Sequence, residues 1–436
     1  MTDRFTENNI FLIKNTLLIS IIISWFIYTG IGFNFKGTPI DISKIVILGT
    51  LLVFLYGKFK YQVNKIDIIF LIYIVSQVLF SIFYVSFYIQ FMYLLYYILF
   101  YYLSYFIARI IFDKNYIFED FIKYISYITI ILLSIMIYLH VSNNYYFDNY
   151  RIAYHHSILE YSHTYKRIFN EIDMGNSFVG QFVNPNTSVQ FLGMLMVFLL
   201  PYYLWKVNKT NIVLFSITSI FLIVSMAMTQ SRAGLIIILM QFIILIIIRY
   251  KHSMKASIIF VGFLSILWLI DKNIVLYYFY LFTNLGTYID QTKSLVESMP
   301  SEHLDRVYYY KLFFDYVIDS NLNFLFGYGP LVHKLNVNIR GITDLAWVFN
   351  TFLQVGLISI SIYAVFYIKI LNEAWKVYKI NKLKYKGLFK YIIAVFLGMI
   401  VVSIPGYQAI LNPVYFFMIG ALVSLVYNHK IEINND

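Results

Sequence analysis

The sequence predicts an all-α, polytopic membrane protein with about twelve transmembrane helices. Hydrophobic residues make up 60% of the 436 residues and charged residues only 13%, about half the roughly 25% of a soluble domain. Apolar runs close to the ~20 residues that cross a bilayer recur along the chain. Lys and Arg collect in every second connection between these runs, as they do in multi-pass membrane proteins.

Length and hydropathy define the individual spans. The continuous apolar run from 67 to 110 is divided at Ser86–Gln90. The predicted spans are 10–31, 40–57, 67–86, 89–110, 121–141, 187–205, 211–229, 233–250, 256–271, 346–368, 391–408 and 411–428.

The distribution of positive charge orients these spans. With the N-terminus inside, the cytoplasmic connections hold most Lys and Arg, and both termini are cytoplasmic. The basic segment 376–390 then serves to fix topology rather than to bind substrate. Two long segments, 142–186 and 272–345, fall outside the cytoplasm. Apolar periodicity at 304–318 and 322–326 predicts short helices on the membrane surface, within a single integral membrane domain, 1–436.

Composition and missing motifs exclude several classes of function. The net charge of +11 follows the positive-inside pattern and does not indicate nucleic-acid binding. No Cys is present, so disulfides and thiolate sites are excluded. No Asp-x-Asp pair, metal-ligand cluster or Walker loop appears, so neither a metal nor another cofactor is expected. The spans hold few ionisable residues, which argues against an ion-coupled transporter.

The first candidate site is the turn Gln230–Gly234. An Arg at membrane depth is costly and normally has a partner or a function. The planar guanidinium of Arg232 suits the oxygens of a phosphate or diphosphate. An Arg that merely extends its charge to the membrane surface is the alternative.

The next candidates lie in the second long segment. Arg306 belongs to the stretch Glu302–Lys311, for which a solvated charged face is the alternative explanation. The segment Phe326-Gly327-Tyr328-Gly329 precedes His333. It is not a dinucleotide-binding fingerprint, because no strand precedes it and its glycine spacing differs, so a plain turn is the alternative.

The remaining candidates stand at the starts of spans. Asp344 precedes Trp347 and Asn350, and its carboxylate suits either a helix cap or a general base. The segment Asn184-Pro185-Asn186 marks another helix start, with Asn186 as the predicted cap.

In this order, the motifs resemble the bacterial O-antigen polymerase and O-antigen ligase superfamily of membrane glycosyltransferases. The resemblance covers residues 175–365. Asn-Pro-Asn at 184–186 opens a span, Ser-Arg-Ala-Gly at 231–234 follows a turn, and Arg306 precedes Phe-Gly-Tyr-Gly. An Asn-x-x-Leu-x-x-Gly helix then runs from Asn350 to Gly356. The ligase branch usually has His before that Asn, but Phe349 stands here. The Asp-x-x-Trp form, Asp344 to Trp347, is similar to the polymerases.

The resemblance implies a GT-C-like architecture with its long outer loop between helices 9 and 10. It also implies a metal-independent, inverting polymerase that joins undecaprenyl-diphosphate-linked repeats into capsule, O-antigen or exopolysaccharide. The reaction would take place on the outer face of the bacterial cytoplasmic membrane. The lipid-linked donor and acceptor would be its substrates, with a chain-length regulator and a flippase as partners.

Residue roles follow from the same resemblance. The expected catalytic residues are Arg232 and Arg306, which would neutralise the leaving diphosphate, and Asp344 or His333, either of which would be the base. The expected substrate-binding residues are Ser231, Asn186, Tyr309, Tyr328 and Trp347. A ligase that transfers finished glycan and a lipid-linked oligosaccharide flippase remain as alternatives. Sugar identity, linkage and oligomeric state do not follow from the sequence.

Overall fold

A computed structural model describes the chain in twelve ranges, and nearly all of these residues are helical. The strands within them form one short antiparallel hairpin, β1 (Gly32–Phe35) with β2 (Thr38–Asp41), in which Gly32 pairs with Asp41. The described residues are 7–27, 32–35, 38–57, 59, 61–84, 87–141, 185–229, 232–248, 321–329, 347–380, 382–403 and 412–435.

Thirteen α-helices occur in the described part of the chain. In chain order they are α1 (Glu7–Ile27), α2 (Ile42–Gly57), α3 (Lys65–Phe80), α4 (Phe87–Tyr97), α5 (Leu103–Ile111), α6 (Asn115–Val141), α7 (Pro185–Trp205), α8 (Lys209–Met228), α9 (Arg232–Ile247), α10 (Asn321–Phe326), α11 (Trp347–Ile380), α12 (Lys382–Ser403) and α13 (Asn412–Asn435).

Nine helical segments in the described part of the chain are long and apolar enough to cross a membrane. The helix α2 and the stretch Ile236–Ile247 of α9 are apolar but shorter. The chain is therefore a multi-pass membrane protein. Eleven predicted spans coincide with helices, and the twelfth, 256–271, lies outside the described residues.

Helix ends differ from the predicted span ends. The helix α6 begins at Asn115 rather than 121, and α11 continues to Ile380 rather than 368. The reason is that hydropathy marks only the apolar part of a helix, whereas its backbone hydrogen bonds continue into the polar interface. The predicted span 89–110 is also not uniform, because a π-helical turn, Ile98–Tyr102, separates α4 from α5.

The protein consists of two compact units, each assembled from segments that are distant in sequence. The first takes its described residues from Met1–Tyr61, Leu103–Ile238 and Pro413–Asp436. The second takes them from Gln62–Tyr102 and Leu239–Asn412.

The helix α7 forms the core of the first unit. Its residues 187–204 are all buried. Aromatic rings pack edge to face in the same core, with 5.3 Å between the centroids of Trp25 and Phe417 and 5.1 Å between those of Phe26 and Phe191. Burial on all sides requires a helix that is apolar all round, as α7 largely is.

Buried cations of the first unit have nearby partners. Lys14 Nζ lies 2.7 Å from Asp113 Oδ2, and Arg109 Nη1 donates to Ser424 Oγ over 2.7 Å. A buried charge without a partner would be far more costly than these pairs. Both cations belong to the span ends for which the sequence predicts a cytoplasmic location.

At Gly420, the backbones of α13 and α5 approach each other closely. A Cβ built on Gly420 would lie 2.5 Å from the carbonyl oxygen of Tyr105 and 2.9 Å from Cβ of Ala108. Small residues permit such close helix packing in membranes. By contrast, a Cβ on Gly49 in α2 would meet nothing within 4 Å.

We therefore expect Gly420→Ala to destabilise the protein, although Ala is the better helix former. Overpacking of this kind costs about 1–3 kcal/mol, more than the ~1 kcal/mol that Ala gains over Gly in a helix. Thermal unfolding in detergent measures this effect, as the fraction of protein that remains folded after heating to each temperature. Gly49→Ala is the matched control and should leave the midpoint unchanged or raise it. Equal midpoints for the two variants would contradict the close approach.

Candidate functional site

The first part of the candidate site is the start of α7, in the first unit. The segment Asn184-Pro185-Asn186 was predicted to open a helix, and α7 does begin at Pro185. Pro suits the first helical position, because its fixed φ is helical and the N–H it lacks would have no partner there. The prediction that Asn186 caps this helix is wrong, because Asn186 lies inside its first turn.

Three residues, 229–231, separate the helix α8 from Arg232. The helix α8 ends at Met228, and the hydroxyl of Thr229 donates to the carbonyl oxygen of Met226 over 2.6 Å. The next helix, α9, begins with Arg232. The motif Arg therefore stands at a helix start, where the backbone itself carries a partial positive charge.

Gly234 brings these two helix starts together. A Cβ on Gly234 would lie 3.3 Å from Cγ2 of Val189 and 3.2 Å from the carbonyl oxygen of Met226. Gly234 is the third residue of α9 and Val189 the fifth of α7, so both helices begin near this contact. The Asn-Pro-Asn and Ser-Arg-Ala-Gly motifs are thus neighbours within one unit.

Sequence reasoning missed the neutral polar residues at this place. Thr187, Ser188 and Gln190 occupy the first two turns of α7, and each is buried. A search restricted to ionisable groups overlooks hydroxyl and amide side chains inside an apolar span. Their grouping at one end of the span is the signal that could have identified them.

The second part of the candidate site is a break in α11, in the second unit. Gly356 has φ 69° and ψ 178°, so the helix is interrupted nine residues after its start at Trp347. In an unbroken helix, the carbonyls of Leu353 and Gln354 would accept from the N–H groups four residues later. The interruption leaves these two carbonyls available to another segment.

That other segment is Phe-Gly-Tyr-Gly. The N–H of Tyr328 donates to the carbonyl of Leu353 and the N–H of Gly329 to that of Gln354, each over 2.9 Å. The motif that sequence reasoning could not distinguish from a plain turn therefore docks on the Asn-x-x-Leu-x-x-Gly helix through its main chain. We call residues 327–329 and 353–356 together the glycine junction.

Glycine is required on both sides of the glycine junction. Gly327 and Gly329 have φ values of 81° and 92°, which L side chains rarely adopt. A Cβ on Gly327 would overlap the carbonyl of Gln354, and a Cβ on Gly356 would overlap the backbone of Gly327. The two segments therefore lie closer together than a residue with a Cβ at position 327 or 356 would permit.

Aromatic rings hold the short helix α10 beside the glycine junction. The ring of Phe326 stacks on Phe83 with 4.5 Å between centroids, and its centroid lies 4.7 Å from that of Phe80 at the end of α3. The ring of Phe324 lies 5.6 Å from that of Phe352. The helix predicted at 322–326 is present as α10. Its position on the membrane surface stays a prediction, and the helix predicted at 304–318 lies outside the described residues.

Neutral hydrogen bonds cross-link the helices one turn from the glycine junction. Ser76 Oγ and Ser359 Oγ lie 3.0 Å apart, and the hydroxyl of Tyr102 donates to Gln77 Oε1 over 2.9 Å. These contacts connect α3, α11 and the π-helical turn without a buried charge.

The predicted site residues differ in how far the structure locates them. Tyr328 is half-buried in the glycine junction. For Asn186, Arg232 and Trp347 the structure gives the backbone, at or near the starts of α7, α9 and α11. The predicted residues outside the described ranges are Ser231, Arg306, Tyr309, His333 and Asp344.

Two further findings bear on the site. Among the side chains that the structure describes, no group of three or more His, Asp and Glu could hold a metal ion. Comparison with family models, curated proteins and solved structures finds no match. Motif order and local geometry therefore carry the functional argument.

We expect Gly356→Ala to open the glycine junction. Forcing a side chain into this region of φ and ψ costs about 1–3 kcal/mol, and the clash with Gly327 adds to it. Amide hydrogen exchange of Tyr328 and Gly329 should then accelerate by about ten-fold or more, because ~1.4 kcal/mol corresponds to a factor of ten. Mass spectrometry of a peptide covering 321–335 would measure it. Gly49→Ala is the control, and unchanged exchange in Gly356→Ala would contradict the docking.

Proposed function

We propose that this chain is a polymerase that joins undecaprenyl-diphosphate-linked oligosaccharide repeats on the outer face of a bacterial cytoplasmic membrane. The proposal includes twelve spans in a GT-C-like arrangement with both termini cytoplasmic. One observation carries it. Four motifs of the resemblance form two pairs, and the contacts lie within each pair. Asn-Pro-Asn and Ser-Arg-Ala-Gly are joined at Val189 and Gly234, and the other two motifs are joined at the glycine junction.

The first pair suits a diphosphate. Two helices begin beside each other, and each helix start carries a partial positive charge. Arg232 adds a full charge with a planar fork of donors. Stabilising the leaving diphosphate is the main electrostatic requirement of this transfer.

The second pair suits the placement of a base. Residues 330–346 contain both His333 and Asp344, and the structure fixes what lies at each end. Gly329 is bound to Gln354, and Trp347 begins the same helix about 10 Å away, at 1.5 Å per residue. The residues that flank the segment with both candidate bases are therefore held at the part of α11 before its break, 347–355.

The proposed reaction is a single displacement. A hydroxyl oxygen of the lipid-linked acceptor attacks the anomeric carbon of the donor glycan, and the bond from that carbon to the phosphate oxygen breaks with inversion. Undecaprenyl diphosphate leaves with the bonding electrons, and Arg232 and Arg306 stabilise its charge. Asp344 or His333 takes the proton of the attacking hydroxyl.

The buried charges argue for a transferase rather than an ion-coupled transporter. A transporter of that kind places ionisable residues within its spans. Each buried charged residue of the described helices lies near a helix end or has a partner that lies near one. These residues are Lys14, Lys44, Asp67, Arg109 and Glu373. Asp67, for example, completes a capping box with Asn64.

We expect Arg232→Ala and Arg306→Ala to abolish polymer formation in a deletion strain. Loss of one such donor typically costs about 10²–10³ in rate. Surface glycan sized on a gel gives the measurement, with each variant's membrane level checked by blotting. Lys123→Ala is the matched control, because Lys123 forms only a surface pair, 3.5 Å from Asp120, and should restore the full ladder.

The same gel separates the alternatives. Deletion of a polymerase leaves single repeats in place of a ladder, whereas deletion of a ligase leaves long glycan on its lipid carrier. Of Asp344→Asn and His333→Gln, only the variant that removes the base should lose the ladder, by about 10²–10⁴ in rate. A normal ladder in the deletion strain would reject both transferase functions.

A further inference from the structure

The helices α11 and α12 form a hairpin that stays packed to its tip. The first ends at Ile380 and the second begins at Lys382. Trp375 and Phe389 lie 5.1 Å apart between ring centroids, and the ring of Tyr378 stacks on Phe389 at 5.2 Å. The part of the hairpin from 375 to 389 therefore has its own small aromatic core, and we call it the hairpin tip.

The ends of two membrane-crossing segments place the hairpin tip at the level of lipid headgroups. The segments that are long and apolar enough to cross a membrane are Thr351–Ile380 in α11 and Lys382–Ser403 in α12, and both end within the hairpin tip. The hydrocarbon core is about 30 Å thick, and headgroups add about 5–7 Å on each side. Residues at the end of a membrane-crossing segment therefore lie near the headgroups.

The hairpin tip is basic and has no acidic residue. Five lysines and no Asp or Glu occur in residues 375–389, and Lys390 follows directly. The nearest carboxylate, Glu373, is already bridged by Lys369 at 3.3 Å and Lys376 at 3.0 Å. Four to eight basic residues beside a span are typical of contact with anionic lipid.

Apolar side chains are exposed among these lysines. Leu383 is 93% exposed, Ile380 60% and Trp375 39%. Exposure of an apolar side chain to water is unfavourable. At the boundary between headgroups and acyl chains the same side chain is stable, as in interfacial helices. An aromatic residue such as Trp375 is also typical of that boundary.

We propose that the hairpin tip binds the anionic phospholipid headgroups of the membrane leaflet on its side, the predicted cytoplasmic side. The exposed lysines neutralise the lipid phosphates, and Leu383 and Ile380 insert between the headgroups. This goes beyond fixing the topology, because it predicts a dependence on lipid charge in the folded protein. It does not rest on the proposed polymerase function.

The absence of Cys allows a test with a single label on the full chain. Leu383→Cys would carry an environment-sensitive fluorophore in nanodiscs of phosphatidylcholine, with or without phosphatidylglycerol. We expect a blue shift in the anionic nanodiscs that high salt reverses. The shift should disappear when Lys379, Lys382, Lys384 and Lys386 are changed to Gln.

Val207→Cys, in the short turn between α7 and α8, is the matched control. This residue is also exposed, but only two lysines, Lys206 and Lys209, lie beside it, and Lys206 is already paired with Glu119 at 3.1 Å. Its emission should not respond to lipid charge. Water-like emission from the label at 383 in both nanodiscs would overturn the proposal, because the hairpin tip would then not contact the lipid. Equal blue shifts in both nanodiscs would also overturn it, since contact would then not depend on charge.

Discussion

Two hydrogen bonds between main-chain atoms hold together the part of the protein on which the proposed site depends. The break at Gly356 frees the carbonyls of Leu353 and Gln354, and Tyr328 and Gly329 supply the donors. A buried carbonyl without a donor would cost about 1–3 kcal/mol. The break is therefore stable only because the Phe-Gly-Tyr-Gly segment is docked on it. The position of α10 and the attachment of residues 330–346 follow from that one contact.

Buried polar groups have partners of different kinds in the two units. In the first, Lys14 contacts the carboxylate of Asp113. In the second, neutral pairs such as Ser76 with Ser359 lie near the glycine junction, whereas Glu373, farther along α11, is paired with two lysines. A neutral pair costs less to remove from water than an ion pair does. The glycine junction is therefore flanked by contacts that carry no charge.

The sequence was sufficient to locate the spans but not the features that interrupt them. Apolar runs predicted eleven helices correctly, because membrane burial requires both the length and the composition of such runs. The π-helical turn at 98–102 had no local signal, since its geometry depends on packing. Gly356 could not be distinguished from a glycine tolerated within a helix, because its partner, Gly327, lies 29 residues earlier. Each motif of the site was visible, but their pairing was not.

The glycine junction consists of main-chain hydrogen bonds and three glycines. Its two described hydrogen bonds involve no side chain. These bonds join main-chain atoms of residues 328, 329, 353 and 354. Apart from the two candidate bases, His333 and Asp344, residues 330–346 can therefore change in sequence while the two bonds remain. A scaffold of this kind can acquire a new substrate preference by exchanging one short segment, as antibody frameworks do with their loops.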